Sequence, residues 1–231
     1  MTRRTVDVPS VEDVHMLDAT AGIAYLKLDT FPARSAAELE QGLWTLHRQG
    51  MKTLVMDVRD NPGGLLTAAI EVSNKFVPTG VIVSTRGRNE TDNSRTEAQG
   101  VNVWKVPLIV LIDEHSASAS EIFAAAIQEN DRGLIVGRQS YGKGTVQTLF
   151  PLSSISAGLR LTTAKFYSPR GREMAESGVA PDVVVSESHH TAEANGTADR
   201  DLLTAVHAAK QNLGVRGRFE VSQIRFQQPD R

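Results

Sequence analysis

Three short segments carry residue types that could do nucleophilic chemistry. The first, Ser116-Ala117-Ser118-Ala119-Ser120-Glu121, lies between an apolar run and an amphipathic one. A serine in that place projects from the carboxyl end of a strand, beside helix N–H groups that favour developing negative charge. The same residues also fit a capping box, in which Ser118 would do no more than start a helix. The second segment, Gly137-Arg138-Gln139-Ser140-Tyr141-Gly142-Lys143-Gly144-Thr145, nearly spells a phosphate-binding loop. Gly144 stands where the magnesium-holding hydroxyl belongs, and the β-type run Thr145–Phe150 follows where a helix is needed. Both departures remove parts that phosphate binding requires.

Lys143 could instead be a general base. At an unperturbed pKa near 10.4 only about 0.04% of a lysine is neutral at pH 7. Lowering the pKa by roughly 3 units costs about 4 kcal/mol of burial or repulsion and leaves a large neutral fraction. Gln147 lies four residues on, and an extended run returns it to the face of Lys143, where it could orient the amine without supplying charge. The third segment is Asp57-Val58-Arg59-Asp60-Asn61-Pro62-Gly63-Gly64. Paired glycines let backbone N–H groups converge on a ligand, as an oxyanion hole needs, although the same residues make an ordinary turn.

Elements must position these groups, and the chain supplies them in alternation. Ala21–Asp29 alternates like a strand, and Ser35–Gln49 carries Leu39, Leu43, Trp44 and Leu46 at helical spacing before Gly50. Thr53–Val58 reads as a buried strand, Leu65–Phe76 as a helix and Val81–Ser84 as a strand. Pro107–Asp113 is nearly all apolar and suits a sheet covered on both faces. A helix over Ala119–Asn130 and a strand at Leu134–Val136 complete an α/β core. Beyond Gly144 the pattern turns antiparallel, with strands at Thr145–Leu152 and Leu159–Tyr167, a turn at Ser168–Gly171 and a short edge strand over Pro181–Val185. Gly87–Gly100 reads as a 14-residue polar loop, Ser186–Asp199 as a polar linker and Leu202–Leu213 as an amphipathic helix.

Composition sets limits. The 231 residues carry 25 basic against 27 acidic side chains, a net charge of −2 that offers no general attraction for nucleic acid. Cysteine is absent, which excludes disulfides, thiolate metal sites and a cysteine nucleophile. No apolar run approaches the roughly 20 residues that cross a bilayer. No His, Asp and Glu cluster at metal-ligand spacing, so neither a metal nor another cofactor is expected. His115, three residues before Ser118, is an alternative base, but no G-x-S-x-G elbow supports a Ser–His–Asp triad. His15, His47 and His207 fall on strand or helix faces.

Together these segments resemble the carboxyl-terminal processing peptidases, or tail-specific proteases, of serine peptidase family S41. The resemblance rests on D-x-R-x-N-P-G-G from Asp57, S-A-S-A-S-E-I-F over Ser116–Phe123 and G-K-G-T-V-Q over Gly142–Gln147. Tyr167–Gly171 and Gly178–Asp182 look like its closing signature, and the likeness covers about Val6 to Val185. It implies a crotonase/ClpP-like α/β core with an additional antiparallel β extension. The family's nucleophile falls on Ser118, its general base on Lys143, 25 residues later, and its orienting glutamine on Gln147. Ala119 and the Gly63–Gly64 pair, Gly63 first, would supply the oxyanion N–H donors. Glu121, Glu129 and Ser140 are placed as supporting groups, with Glu129 standing where relatives carry an aspartate. The implied substrates are proteins or peptides with apolar C-terminal tails, and the family works mostly in bacterial envelopes or plastid lumens.

The expected organisation is a catalytic domain over 1–185, a linker over 186–199 and a C-terminal helix and tail over 200–231. Arg4–Pro9 resembles the strand that normally follows a PDZ insertion, and the sequence holds no room for the PDZ domain itself. A reduced peptidase and the catalytic portion of a longer one are both consistent with that. So is a catalytically silent peptide-binding scaffold of the same fold, although binding alone does not require serine, lysine and glutamine together.

Overall fold

A computed structural model describes residues 9–152, 157–185 and 199–212. All but Pro9 of the strand expected at Arg4–Pro9, nearly all of the polar linker and the C-terminal tail lie outside them. The alternating apolar runs build a six-stranded sheet in the order β1 (Val11–Asp18), β2 (Ile23–Leu28), β3 (Thr53–Asp57), β6 (Leu108–Ile112), β7 (Leu134–Gly137), β10 (Val183–Val184). Only β1 runs antiparallel to its neighbour; the other pairs are parallel.

The central strands are apolar on both faces because both faces are covered. Leu54, Met56, Leu108, Val110, Ile112 and Ile135 pack beneath α1 (Ser35–Arg48), α2 (Leu66–Asn74) and α3 (Ala119–Glu129), with Leu39, Leu43, Phe76 and Phe123. Their alternates Val55, Ile109, Leu111, Leu134 and Val136 point the other way. That second face is closed by α4 (Arg200–Asn212), which lays Ala205, Ala208 and Ala209 on it. The terminal helix is therefore a layer of the fold.

A second, antiparallel sheet has the order β5 (Ser94–Glu97), β4 (Val81–Gly87), β9 (Ala157–Tyr167), β8 (Thr145–Leu152). The structure corrects the polar-loop reading of Gly87–Gly100. A 3-10 turn at Glu90–Asp92 reverses the chain, and β5 pairs back onto β4. Thr85 Oγ1 donates to Asp92 O at 2.8 Å, and Asn93 Oδ1 accepts Gly87 N–H at 3.0 Å, which fix the reversal. The structure also adds β1, whose sequence Val11–Asp18 lacks clean alternation; its pairing with β2 is irregular at two points.

Candidate active site

The buried strand β6 ends at Ile112, and Asp113 shapes the turn beyond it. Its Oδ1 accepts the N–H groups of Asp60, His115 and Ser116 at 3.0, 3.1 and 2.9 Å. Asn61, fully buried, ties the glycine turn to the same place: Nδ2 donates to Leu28 O, and its carbonyl accepts Ala117 N–H and Ser120 Oγ–H, both at 2.9 Å. The chain then enters α3 through Ser118, whose φ of 58° and ψ of −110° are unusual for a residue with a Cβ. The sharp turn leaves Ser118 partly exposed at the carboxyl ends of the strands, with buried neighbours on both sides.

Gly63 lies directly against that serine. A Cβ there would sit 2.8 Å from Ala119 N and 2.9 Å from Ser118 Cβ, so only glycine permits the approach. Its own N–H is taken by Asn61 Oδ1 at 2.9 Å. Among the described residues the N–H groups of Gly64 and Ala119 have no hydrogen-bond partner. Within the glycine pair, Gly63 N–H is committed to Asn61 and Gly64 N–H is not, among the described residues.

Glu121 is the junction of the site. It is 1% exposed and accepts four hydrogen bonds. Oε2 takes Ser118 N–H at 2.7 Å and Lys143 N–H at 2.9 Å; Oε1 takes Ser140 Oγ–H and Gly142 N–H, each at 2.6 Å. One carboxylate thus holds the serine turn and the lysine loop in fixed relation. Ser140 Oγ also accepts Val179 N–H at 2.7 Å, and Gly144 packs so tightly on Met174–Ala175 that a side chain there would collide with backbone.

The expectation of a dry amine is not met. Lys143 and Gln147 are both exposed, and among the described residues no hydrogen bond joins Lys143 to Ser118. Glu121 holds Lys143 by its backbone N–H, and the loop's other anchors are Ser140 Oγ and Gly142 N–H, so none of these bonds draws the amine inward. Glu129 sits about three turns along α3 from Ser118. It accepts Arg170 N–H at 2.7 Å and lies 3.4 Å from the Arg172 guanidinium, so it braces the Ser168–Arg172 turn. His115 Nδ1 stands 3.1 Å from Asp60 Oδ1 and 3.6 Å from Asp113 Oδ2, a group of three that chain order concealed. His115 is exposed there, and no hydrogen bond among the described residues carries it to Ser118.

Below the site, Arg59 bonds Asp57, Asp199 and Asp201, while Arg138 bonds Glu114 and Asp201. These arginines fasten the start of α4 to the strand ends that carry the glycine turn and the lysine loop. Burial alone would raise the Asp199 carboxyl, but the Arg59 guanidinium and the Leu202 N–H outweigh it and hold the group below the ordinary carboxylate range. The Arg138 hydrogen bond does the same for Glu114. Sequence reading missed Asn61, Asp113 and Ser116 as framework groups. A lone aspartate closing an all-apolar strand was the available signal.

Residues 22–185 match the family described as peptidase family S41. The chain is 41% identical over 194 residues to the carboxy-terminal-processing protease of Bartonella bacilliformis, covering 80% of this chain and 44% of that one. It is 37% identical over 189 residues to the carboxyl-terminal-processing protease of Synechocystis sp., covering 81% and 44%. Among solved structures, a photosystem II D1 C-terminal processing protease superposes with a TM-score of 0.67 at 32% identity, over 80% of this chain and 50% of that one. The chain therefore spans less than half the length of these two curated relatives.

Proposed function

The chain belongs to peptidase family S41, and on that premise we propose that it is a serine endopeptidase cleaving protein substrates near apolar C-terminal tails. Ser118 is the nucleophile and Lys143 the general base. Neutral Lys143 takes the Ser118 hydroxyl proton as Oγ bonds to the peptide carbonyl carbon. The carbonyl oxygen becomes an oxyanion, received by the N–H groups of Ala119 and Gly64. Protonated Lys143 then gives its proton to the leaving amine as the C–N bond breaks. Water releases the acyl group from Oγ by the reverse transfers, Lys143 taking its proton.

The observation that carries this reading is the shared Glu121 Oε2, which accepts the N–H groups of both Ser118 and Lys143. With both backbones pinned, the amine has to reach the hydroxyl only by rotation about its own side-chain bonds. A bound polypeptide lying over the loop shields the exposed amine from water.

That exposure also favours the second reading, a scaffold that holds peptides without cutting them. The two separate on Ser118→Ala and Lys143→Ala, assayed on unfolded polypeptides with apolar tails. Either change removes hydrolysis, and a serine-directed phosphonate labels the wild-type chain but not the Ser118→Ala variant. Unchanged hydrolysis in either variant rejects the assignment, and tight peptide binding without labelling or turnover favours the scaffold.

A further inference from the structure

Strand β8 leaves the lysine loop two residues beyond Lys143 and is the last strand of its sheet, so among the described residues its outer edge pairs with nothing. Cross-strand partners share a face. Val146 opposite Ala164 faces the core, and Thr148–Leu161, Phe150–Leu159 and Leu152–Ala157 continue that face outward. The extra residue at the bulge is Thr163 on β9, so the alternation along β8 is unbroken. Phe150, Leu152, Leu159 and Leu161 thus form one apolar surface running on from the buried core, yet each is between 43% and 49% exposed. Thr145–Leu152 contains no charged residue, although exposed edge strands ordinarily carry charge against unwanted pairing. Pro151 removes a single donor near the far end.

We propose that this edge receives an extended, uncharged, apolar stretch of the polypeptide substrate as an added strand, and so leads it towards Ser118. The proposal rests on the peptidase reading and supplies the element that would hold the substrate. The occupant is argued from size, charge and position. Four large side chains roughly half exposed offer on the order of 400 Å², about half the ~800 Å² per partner of a stable dimer face. An open strand edge asks for backbone hydrogen bonds, and the face beside it asks for apolar side chains; a single extended chain supplies both. Position adds to this, because the lysine loop that opens β8 hangs on the carboxylate that also holds Ser118.

Binding is measured in the Ser118→Ala background, so that turnover does not intervene, with a fluorescein-labelled peptide rich in Leu, Val, Ser and Thr. Two twins of it carry N-methyl groups on alternate residues, one set or the other. One methylated set binds at least tenfold more weakly and the other binds normally, because only alternate N–H groups of an added strand face its neighbour. Phe150→Ser with Leu159→Ser weakens the unmethylated peptide by a similar factor and lowers the melting temperature by only a few degrees, since nearly half of each side chain is already exposed. In the chain with Ser118 intact the double change raises KM for long peptides and spares short ones that span only the scissile bond. Equal binding of all three peptides, or unchanged binding by the double variant, overturns the proposal. So does a chain that sediments as a dimer and falls to a monomer on the double change, which would assign the face to a second copy. Hydrolysis that survives Ser118→Ala would instead count against the peptidase reading, independently of these binding results.

Discussion

Glu121 is a buried carboxylate with each oxygen satisfied by two donors, and its replacement by glutamine changes little but hydrogen-bond sense. The amide must turn its NH2 toward one pair. Either the N–H groups of Ser118 and Lys143 face another donor, or Gly142 N–H and Ser140 do. Charge-assisted bonds are lost and a buried donor is left unmatched, so Glu121→Gln is expected to destabilise the fold by about 2–4 kcal/mol. A positioning role adds a second effect. Between the proposed nucleophile and base, a displacement of about 1 Å costs on the order of 100-fold in rate, so kcat is expected to fall by that factor while KM moves little. Serine labelling by a phosphonate, measured well below the melting temperature, separates this from simple instability. Labelling at the wild-type rate in Glu121→Gln would show that the carboxylate does not hold the two groups together. The residue types of this site were legible in the sequence: serine, lysine, glutamine and paired glycines all lay in recognisable short runs. Their partners were not. Glu121 lies 22 residues from Lys143, and Asn61 lies 59 from Ser120, so only folding shows that they meet.

Among the strands and helices, legibility followed burial. β3 and β6 announced themselves because a strand covered on both faces has no polar alternate, and α1 and α3 because an apolar stripe recurs each turn. β1 and β5 are the edge strands at one end of each sheet: β5 is mostly exposed and polar, and the apolar residues of β1, Val11, Val14, Met16 and Leu17, keep no strict alternation, so neither stands out from loop. α4 was legible as a helix, but not its docking, which depends on charges from distant segments. Its start is held by Asp199 and Asp201 on Arg59, and by Asp201 on Arg138. Because folding lowers the Asp199 and Glu114 carboxyls, their contribution to stability is complete above the ordinary carboxylate values of about 3.9 and 4.3, and drains away as pH falls through the lower folded values. Hydrogen-exchange protection of the Ala205 and Ala209 amides, corrected for intrinsic rate, should therefore stay level from pH 7 to about pH 5. It should decline in more acid solution. Asp199→Asn should flatten part of that decline. Protection that stayed level down to about pH 3 would show that the arginine pairs do not fasten the helix.

The largest consequence concerns the molecule as one body. A sheet apolar on both faces cannot end its fold with helices on one of them, because Val55, Ile109, Leu111, Leu134 and Val136 would then face water. Each of these is essentially fully buried beside α4 and its neighbours. Exposing even half of five such side chains costs roughly 4–8 kcal/mol, taking about 1.5–3 kcal/mol for each full burial. Total stabilities of domains are only about 5–15 kcal/mol, so α4 decides whether the rest stands at all. The arginines that dock α4 extend the effect to the site, since Arg59 opens the turn that carries Gly63 and Gly64, and Arg138 opens the loop that carries Lys143. A chain cut after Val185 keeps all of the motifs that suggested a peptidase, yet it should lose cooperative unfolding and bind a dye specific for exposed apolar surface. A peptide of residues 199–212 added in excess should restore part of the lost structure if the sheet face remains formed. If the shortened chain instead melts within a few degrees of the full one, the second face must be closed by something other than α4.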